Sequence, residues 1–378
     1  MRVLLLHNRY RAEGGEERSV DEIARLLEQR GHAVEVIERS SAALGRGRAA
    51  ASLWHGGLDA AEIGRAVRAT RADIVHAHNL HPLFGWRALA AGRTAGARVV
   101  LHLHNFRLFC AIGVAYRDGA PCFRCRAGFT RPGLRLRCRG SFPEAAAYAA
   151  GLHRQLPQLL LHADRFVTVS DATLRQLVEL GVPAGQIVSL PNFVPATAFA
   201  DRSHADEGRH ALVAGRLVPE KGFDTAVLAC RAAGMPLVIA GAGPDESRLR
   251  QLAGDGDVRF AGMLARDELN RVRADAELVL APSRSDDACP FAVVEALAAG
   301  VPVIASDRGG LPELAGPDAT VPVDDLGAWT RAVARAWEDP RDRRRRGEAA
   351  LARARERCHP DVYYEGLMSV YGRPERIE

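Results

Sequence analysis

The chain has no hydrophobic run approaching the ~20 residues that span a bilayer, which excludes a simple membrane-spanning helix. Its opening, MRVLLLH, is too short for a secretory signal peptide and is better interpreted as a first buried strand. We therefore expect a cytosolic protein. Its seven cysteines are then not expected to form structural disulfides. Lysine is also nearly absent, because Lys221 is the only lysine among 51 basic residues.

The net positive charge of the chain comes from its first half. At 378 residues, 47% of them apolar and 26% charged, the chain predicts two globular domains. Residues 1–200 carry 26 arginines and 16 acidic residues, a net of +10, whereas the rest carries 25 basic and 30 acidic residues, a net of −5. Between Arg107 and Arg139 there are eight arginines and one acid, Asp118. This excess suggests an anionic partner, although an arginine-rich composition without function also explains it.

Short apolar runs alternate with amphipathic helical patterns through both halves. Runs that are apolar on both faces predict parallel sheets covered by helices, so two series predict two Rossmann-like α/β domains. We place the first domain at 1–190, a linker at 191–208, the second domain at 209–355 and a helical tail at 356–378 that returns to the first domain. Ligands bind at the carboxyl ends of such strands, so we expect the domains to face each other across a cleft. The predicted strands are 3–7, 33–38, 73–78, 98–104, 165–170, 186–190, 210–215, 236–241, 258–262, 277–283, 301–306 and 319–323.

Residues 283–313 place two acids, Asp287 and Glu295, around a predicted helix start at Pro290. Proline suits the first turn of a helix because its missing N–H is not needed there, and Gly300 predicts the end of the helix. The first free N–H groups of a helix attract an anion such as phosphate. The carboxylates would repel that anion but can accept hydrogen bonds from hydroxyl groups. A phosphate flanked by polyols describes a nucleotide sugar, and an ordinary capped surface helix is the alternative.

Two further segments contain candidate phosphate contacts. Gly14 and Gly15 lie between a strand and a helix, which fits either a phosphate-binding turn or a plain strand-to-helix turn. Arg216 follows a strand of the second half, and Lys221 is predicted to begin the next helix. Two cations at this strand end could hold a diphosphate, or they could be solvated side chains.

Six motifs follow one another in order along nearly the whole chain: GGEE, DIVHAHN, AGRLVPEKGFDTAVLA, VIAGAGPDESRLRQLA, VRFAGML with a later DEL, and DACPFAVVEALAAGVPVIASDRGGLPEL. Together they resemble the retaining glycosyltransferases of family four, which have a two-domain B-type (GT-B) fold. The resemblance implies transfer of a sugar from a nucleoside diphosphate sugar, with retention at the anomeric carbon. Motifs of the second half are the most specific part of it.

The resemblance also assigns roles to the residues of the second half. In this family the second acid of the E-x7-E motif contacts the ribose and the first contacts the donor sugar, which implies these roles for Glu295 and Asp287. Arg216 and Lys221 would stabilise the departing diphosphate, and Met263 would border the base. The backbone of one helix start would lie against the donor, at Phe291, Ala292 and Val293.

The chain departs from the family pattern at two positions. The first acid is usually glutamate, and Asp287 is one methylene shorter. The family's usual His-Asp pair is replaced by His104 followed by Asn105. His104 is still expected beside the transferring sugar, where its ring could hydrogen-bond hydroxyl groups. His76 and His78 lie at another strand end, either facing the cleft or capping the sheet.

The basic segment 105–140 contains a C-x11-C-x2-C-x12-C pattern. A Cys-x2-Cys knuckle with two outer cysteines fits a tetrahedral zinc site that would pin a long loop. Free thiols and a labile disulfide are the alternatives, and a catalytic cysteine is not expected. The four residues are Cys110, Cys122, Cys125 and Cys138.

The sequence thus predicts a retaining, metal-independent glycosyltransferase of polysaccharide biosynthesis. Its cations and a helix dipole would take up the leaving charge, so no cofactor is required for catalysis. We expect a glycan or lipid-linked acceptor, peripheral contact with an anionic membrane, and no nucleic-acid partner. The rival predictions are a sugar-nucleotide epimerase of similar fold and a non-catalytic sugar-nucleotide-binding protein.

Overall fold

The computed structural model describes residues 1–9, 14–40 and 44–372. The chain forms two compact units. The first combines Met1–Ala115, Cys122–Leu190 and the chain from Tyr363, and the second combines Tyr116–Pro121 and Pro191–Val362. None of the helices in the described ranges has both the length and the apolar character needed to cross a bilayer.

The first unit is built on a parallel sheet. Its strands and those of a short hairpin are β1 Arg2–Arg9, β2 Ala33–Ser40, β3 Ile74–Ala77, β4 Arg98–Leu103, β5 Tyr116–Arg117, β6 Ala120–Pro121, β7 Arg165–Thr168 and β8 Ile187–Ser189. The helices of this part are α1 Gly15–Gln29, α2 Arg46–His55, α3 Ala60–Thr70, α4 Gly85–Thr94, α5 Arg131–Arg135, α6 Phe142–His162 and α7 Asp171–Leu180. The sheet has six strands in the order β2-β1-β3-β4-β7-β8, and each neighbouring pair is parallel.

The second unit repeats this design. Its strands are β9 His210–Ala214, β10 Leu237–Ala240, β11 Val258–Gly262, β12 Ala276–Ala281, β13 Val303–Ser306 and β14 Thr320–Val321. The helices that follow the first unit are α8 Phe223–Ala233, α9 Glu246–Ala253, α10 Arg266–Ala274, α11 Phe291–Ala298, α12 Leu311–Ala315, α13 Leu326–Glu338, α14 Pro340–Arg357 and α15 Pro360–Tyr371. The sheet order is β11-β10-β9-β12-β13-β14, and all neighbours are parallel.

Each unit has a hydrophobic core formed by its sheet and the helices packed on it. In the first, Leu4 and Phe166 of the sheet are fully buried with Phe84. In the second, α13 buries Trp329 and Val333, which lie four residues apart on one helix face. Full burial of one such side chain contributes roughly 1.5–3 kcal/mol, so these faces hold the helices against the sheets.

The prediction of two Rossmann-like α/β domains is confirmed. All twelve predicted strands are present, and their ends differ from the prediction by two residues at most. Two predicted helix starts are shifted by one or two residues. Lys221 closes a 3₁₀ turn, and Gly222 with φ of +66° separates it from α8. Pro290 has extended backbone and is the N-cap residue, so α11 begins at Phe291.

The domain boundaries also differ in detail from those placed from sequence. The predicted linker 191–208 is part of the second unit, because Asn192 Nδ2 donates to the carbonyl oxygen of Cys289 at 2.7 Å and Ser203 Oγ to that of Gly300 at 2.6 Å. The chain joins the first unit at Tyr363, within the predicted tail 356–378, of which 373–378 lie outside the described residues. The predicted loop 105–140 contains the β5-β6 hairpin, which belongs to the second unit, and α5.

Candidate functional site

The carboxyl edge of the second sheet carries most of the predicted donor residues. From β9 the chain continues to β10 on one side, and it later returns to β12 on the other side. The chain therefore changes direction between the neighbouring strands β9 and β12. The carboxyl ends of these two strands form the topological switch point, where open α/β sheets bind ligands. Arg216 and Lys221 follow β9, and Asp287 follows β12. The fold thus brings to one edge side chains that are far apart in sequence.

Glycines allow the loops at this edge to approach each other. A Cβ at Gly222 would lie 2.0 Å from the carbonyl oxygen of Pro282. Gly241 has φ of +136°, and a Cβ there would lie 1.9 Å from the carbonyl oxygen of Gly215. No residue with a side chain fits such contacts, so the loops after β9, β10 and β12 pack backbone to backbone around the switch point.

Lys221 and Asp287 form an ion pair at the switch point. Lys221 Nζ donates to both carboxylate oxygens of Asp287, at 2.8 and 2.6 Å. The two side chains are 22% and 18% exposed. An ammonium that attracts phosphate thus lies beside a carboxylate that accepts hydrogen bonds from hydroxyl groups.

Arg216 and Met263 lie on either side of the β10 loop. Arg216 follows Gly215 directly after β9 and its side chain is exposed. Met263 follows β11, and 77% of its surface is exposed. An exposed methionine can make an adaptable apolar contact. The position of Met263 is therefore compatible with a contact to the base of the donor, which stays a prediction.

The start of α11 can contact a ligand only through part of its backbone. The side chains of Phe291 and Val293 are buried, and Ala292 is half-buried. The Val293 N–H already donates to the carbonyl oxygen of Pro290 at 3.0 Å. The predicted contact of the backbone at Phe291, Ala292 and Val293 with the donor stays a prediction, and at Val293 it would not use the N–H.

Glu295 is held by a partner that the sequence analysis missed. Its buried carboxylate is ion-paired with the guanidinium of Arg273 on α10, which is 4% exposed. Arg273 Nη1 also donates to Asn270 Oδ1 at 2.7 Å. Removing one member of a buried ion pair leaves the other uncompensated, so Glu295 supports the fold in addition to its predicted contact with the ribose.

A second group of charged residues, also missed, braces the loops at the switch point. Arg284, in the loop after β12, donates to Asp224 Oδ1 on α8 at 2.7 Å, and Arg248 on α9 reaches Oδ2 at 3.2 Å. Burial opposes the charge of Asp224, but these two arginines hold its pKa below the usual value. The quoted motifs contain Asp224 and Arg248 but gave them no role, because that role depends on helices that meet only in the folded unit.

Gly14 is the N-cap residue of α1 in the first unit. Its N–H donates to Glu17 Oε2 at 2.9 Å. A phosphate at this N–H would have to displace a carboxylate that is already there. The phosphate contacts predicted at Gly14 and Gly15 stay predictions, and Gly15 is the exposed first residue of α1.

His104 follows β4 and is half-buried. Its Nε2 lies 2.9 Å from His78 Nδ1. Burial lowers the pKa of His104 to about 3, so the ring is neutral near pH 7. The neighbouring Asn105 donates to Glu16 Oε1 at 3.0 Å and accepts from the N–H of Arg107 at 2.8 Å. The amide that replaces the family's aspartate thus holds a loop together.

His76 and His78 are buried within the first unit, at 0% and 2% exposure. His76 Nδ1 lies 2.8 Å from the hydroxyl of Tyr371 on α15. Of the two interpretations left open by the sequence, this burial supports capping of the sheet.

Three of the four cysteines of the basic segment lie close enough to the fourth, Cys125, to influence its pKa. All seven cysteines of the chain are free thiols, as expected. Burial, and then the proximity of Cys110, Cys138 and Cys122, raise the pKa of Cys125 to about 11, against a hydrogen bond from the backbone of Gly133. Within the described residues no three of these sulfur atoms lie within 4.8 Å of one another, so a tetrahedral zinc site would require them to move closer together.

Two family models match consecutive parts of the chain. The model described as Glycosyltransferase Family 4 matches residues 13–197. The model described as Glycosyl transferases group 1 matches residues 196–353, which include every donor residue predicted in the second unit. Together the two models span both sheets.

Curated relatives match about half of the chain. It is 36% identical to the phosphatidyl-myo-inositol mannosyltransferase of Mycolicibacterium smegmatis over 226 residues, 54% of this chain and 56% of that protein. It is 31% identical to the putative colanic acid biosynthesis glycosyltransferase WcaL of Salmonella typhimurium over 229 residues, 56% of each protein. The chain therefore spans about half the length of these relatives.

A solved structure matches over almost the full length. Anabaena Alr3699/HepE, determined in complex with UDP, superposes with a TM-score of 0.67 and 16% identity, covering 98% of this chain and 99% of that one. At this identity the similarity establishes the fold, which is GT-B.

Proposed function

The chain belongs to glycosyltransferase family 4, and on that premise we propose that it transfers a sugar from a nucleoside diphosphate donor to a glycan or lipid-linked acceptor. The observation that carries the proposal is the Lys221–Asp287 pair at the switch point of the second sheet. The UDP bound by the Anabaena protein of the same fold supports a nucleotide donor.

Each residue of this edge has a role in the proposed reaction. The bond between the anomeric carbon and the diphosphate oxygen breaks while an acceptor oxygen bonds to that carbon. Lys221 and Arg216 stabilise the charge that develops on the diphosphate. Asp287 accepts hydrogen bonds from the sugar, and Glu295 from the ribose. The leaving phosphate takes the acceptor's proton on the same face of the sugar, which gives retention without a further acid or base.

Analysis of the products distinguishes the proposed transferase from its two rivals. A transferase forms a glycosylated acceptor and a free nucleoside diphosphate, an epimerase returns an isomeric donor, and a binding protein leaves the donor unchanged. Donors are first ranked by the thermal shift that they produce, and turnover is then followed with the best one. We expect glycosylated acceptor, and an epimerised or unchanged donor in the presence of suitable acceptors would contradict the proposal.

We propose that the acceptor side works at an anionic membrane surface. The mannosyltransferase relative is named for a phosphatidylinositol acceptor. In the basic segment of this chain five arginines are exposed, together with Phe129, of which 53% is exposed. Basic side chains near an anionic leaflet contribute about 1 kcal/mol each, and an aromatic side chain adds apolar contact. The exposed arginines are Arg124, Arg126, Arg131, Arg135 and Arg137.

We predict that the protein sediments with anionic vesicles and is released as salt rises. Replacing three exposed arginines, Arg124, Arg126 and Arg135, by glutamine should weaken this binding by on the order of 100-fold. The matched control replaces three exposed arginines of the same unit outside the segment, Arg25, Arg65 and Arg68. Equal binding to neutral vesicles, or equal losses in the two triple variants, would refute the membrane proposal.

We also propose that the four cysteines bind a structural zinc ion. Protein purified without added metal should contain one equivalent of zinc per chain that Cys125→Ser removes. The control is Cys230→Ser, which changes a buried thiol of the second unit and should retain this zinc. Elemental analysis measures the zinc content. Wild-type protein that contains no zinc and in which all four cysteines react with a thiol reagent would contradict the proposal. A chelator should leave catalysis intact unless this segment unfolds.

A further inference from the structure

Histidines converge on one face of the first sheet, in a different unit from the predicted donor residues. His76 lies on β3 and His78 just beyond it, and in the same way His102 lies on β4 and His104 just beyond it. Alternate residues of a strand point to the same face. β3 and β4 are neighbours with His76 opposite Val100, so two residues further along each strand His78 comes level with His102.

Three of these rings form a compact group of nitrogens. The ring nitrogens of His76, His78 and His102 that face one another all lie within 4.8 Å. These side chains are 0%, 2% and 2% exposed. The rings of His76 and His102 are stacked with centroids 5.4 Å apart, and those of His78 and His102 with centroids 5.1 Å apart.

The group leaves four buried nitrogens without hydrogen-bond partners. They are Nε2 of His76, Nε2 of His78, and both Nδ1 and Nε2 of His102. An isolated buried polar atom without a partner is rare and costs about 1–3 kcal/mol, and each such case calls for an explanation such as a bound ion. Four of them in three adjacent rings are not explained by packing.

The remaining nitrogens of two rings are occupied, which orients these rings. His76 Nδ1 pairs with the Tyr371 hydroxyl at 2.8 Å, and His78 Nδ1 pairs with His104 Nε2 at 2.9 Å. Histidines that bind metals usually use one ring nitrogen as ligand and hold the other in a hydrogen bond. In His76 and His78 the second ring nitrogen, Nε2, has no hydrogen-bond partner and is available as a ligand.

The surroundings also keep the rings in the form that binds metals. Burial lowers the pKa of His76 to about 3 and the pKa values of His78 and His102 well below the ordinary one, so all three are neutral at pH 7. Neutral imidazole is the ligand form. Of the charged residues that line the adjoining cavity, Glu16 would compensate a cation and Arg107 would oppose it.

From this geometry we propose that His76, His78 and His102 form a buried binding site for a divalent transition-metal ion of the zinc class. Three imidazole nitrogens suit zinc, cobalt, nickel or copper, and exclude magnesium and calcium, which take oxygen ligands. Ligands about 2.0–2.1 Å from zinc in a tetrahedron lie roughly 3.3 Å apart, so the rings draw inward on binding. A cavity of about 30 Å³ beside His78 and His102, room for one water-sized group, leaves space for a fourth ligand.

The test uses the full-length protein and the metal alone. Wild-type protein incubated with excess Zn²⁺ and passed through a desalting column should retain one equivalent more than His102→Leu. Leucine removes two unpartnered nitrogens and fills the space, so this variant should fold at least as stably as the metal-free wild type. The matched control is His162→Gln, a histidine of the same unit outside the group, which should retain the equivalent.

A second variant tests the orientation of His76. Tyr371→Phe keeps the ring and removes the hydrogen bond, so the affinity of this site for Zn²⁺ should fall about 10- to 100-fold. Loading with Co²⁺ distinguishes this site from a site at the cysteines, because thiolate ligands give cobalt an intense charge-transfer band. The difference between the absorption spectra of Co²⁺-loaded wild type and His102→Leu should lack this band. An equal zinc content in wild type and His102→Leu, or a thiolate band in the lost absorption, would overturn the proposal.

Discussion

Lys221→Ala is expected to lower turnover roughly 30- to 1000-fold, because it removes a charge-assisted contact worth about 2–4 kcal/mol in the transition state. The ammonium lies at the switch point, where it donates hydrogen bonds to the two carboxylate oxygens of Asp287 at 2.8 and 2.6 Å. A compact, rotatable charge can turn from this carboxylate to a departing diphosphate. Steady-state turnover of the purified variant makes the measurement, with thermal unfolding recorded beside it.

Two further variants separate this role from general charge loss. Lys221→Arg should restore turnover only in part, because a planar guanidinium favours one fixed geometry. Arg250→Ala is the control, since it removes an exposed cation of the same unit that pairs with Glu246. Wild-type turnover in Lys221→Ala, or an equal loss in Arg250→Ala, would disprove the assigned role.

The scarcity of lysine gives an independent test of the same contact. Lys221 is the only lysine, so amine-reactive reagents can modify only this side chain and the N-terminus. Peptide mapping after labelling, with and without nucleoside diphosphate, therefore reports on Lys221 directly. We expect protection by the nucleotide at Lys221 and none at the N-terminus, and labelling of Lys221 that ignores the nucleotide would contradict the assignment.

Glu295→Gln is expected to weaken donor binding roughly 10- to 150-fold, because a hydrogen bond to a charged carboxylate contributes about 1.5–3 kcal/mol. Glutamine is the sharper change. Alanine would leave the buried Arg273 unpaired, which costs about 3–5 kcal/mol, and a loss of binding would then be confused with a loss of folding. Titration calorimetry with the donor selected by thermal shift measures the effect.

The chain provides a matched control for this variant. Glu277 at the start of β12 forms another buried pair, with Arg343 at 3.2 Å, and it lies at the opposite edge of the same sheet. Glu277→Gln should cost similar stability and leave donor affinity unchanged. If Glu295→Gln binds the donor as tightly as Glu277→Gln does, the carboxylate serves the fold alone and the ribose contact is wrong.

The fold could be predicted because its signals are local. Apolar runs such as 98–104 and 236–241 are buried on both faces, and their alternation with helices determines a parallel sheet. The start of α8 was placed too early because Lys221 belongs to a 3₁₀ turn that ends at a glycine of positive φ. The linker was misjudged because its proline and asparagine are typical of loops, whereas Asn192 in fact bonds to the second unit.

Site residues could be predicted where they belong to a motif with a fixed sequence spacing. Their partners could not, because tertiary contacts determine them. Lys221 and Asp287 were singled out separately, but nothing in the sequence showed that they would pair. Arg273 and Arg284 carry no motif, and each meets its carboxylate only after helices have packed. The histidines were noticed one by one, while the sheet register that groups three of them emerges only from strands far apart in sequence.

The central claim is retaining transfer from a nucleoside diphosphate sugar, and proton NMR of the purified protein turning over its best donor tests it most directly. The spectrum reports both the bond that breaks and the configuration at the anomeric carbon of the product. The account predicts release of nucleoside diphosphate and a new glycoside with the anomeric configuration of the donor, both sharply reduced in Lys221→Ala. An inverted product, an epimerised nucleotide sugar, or wild-type rates in Lys221→Ala would contradict it.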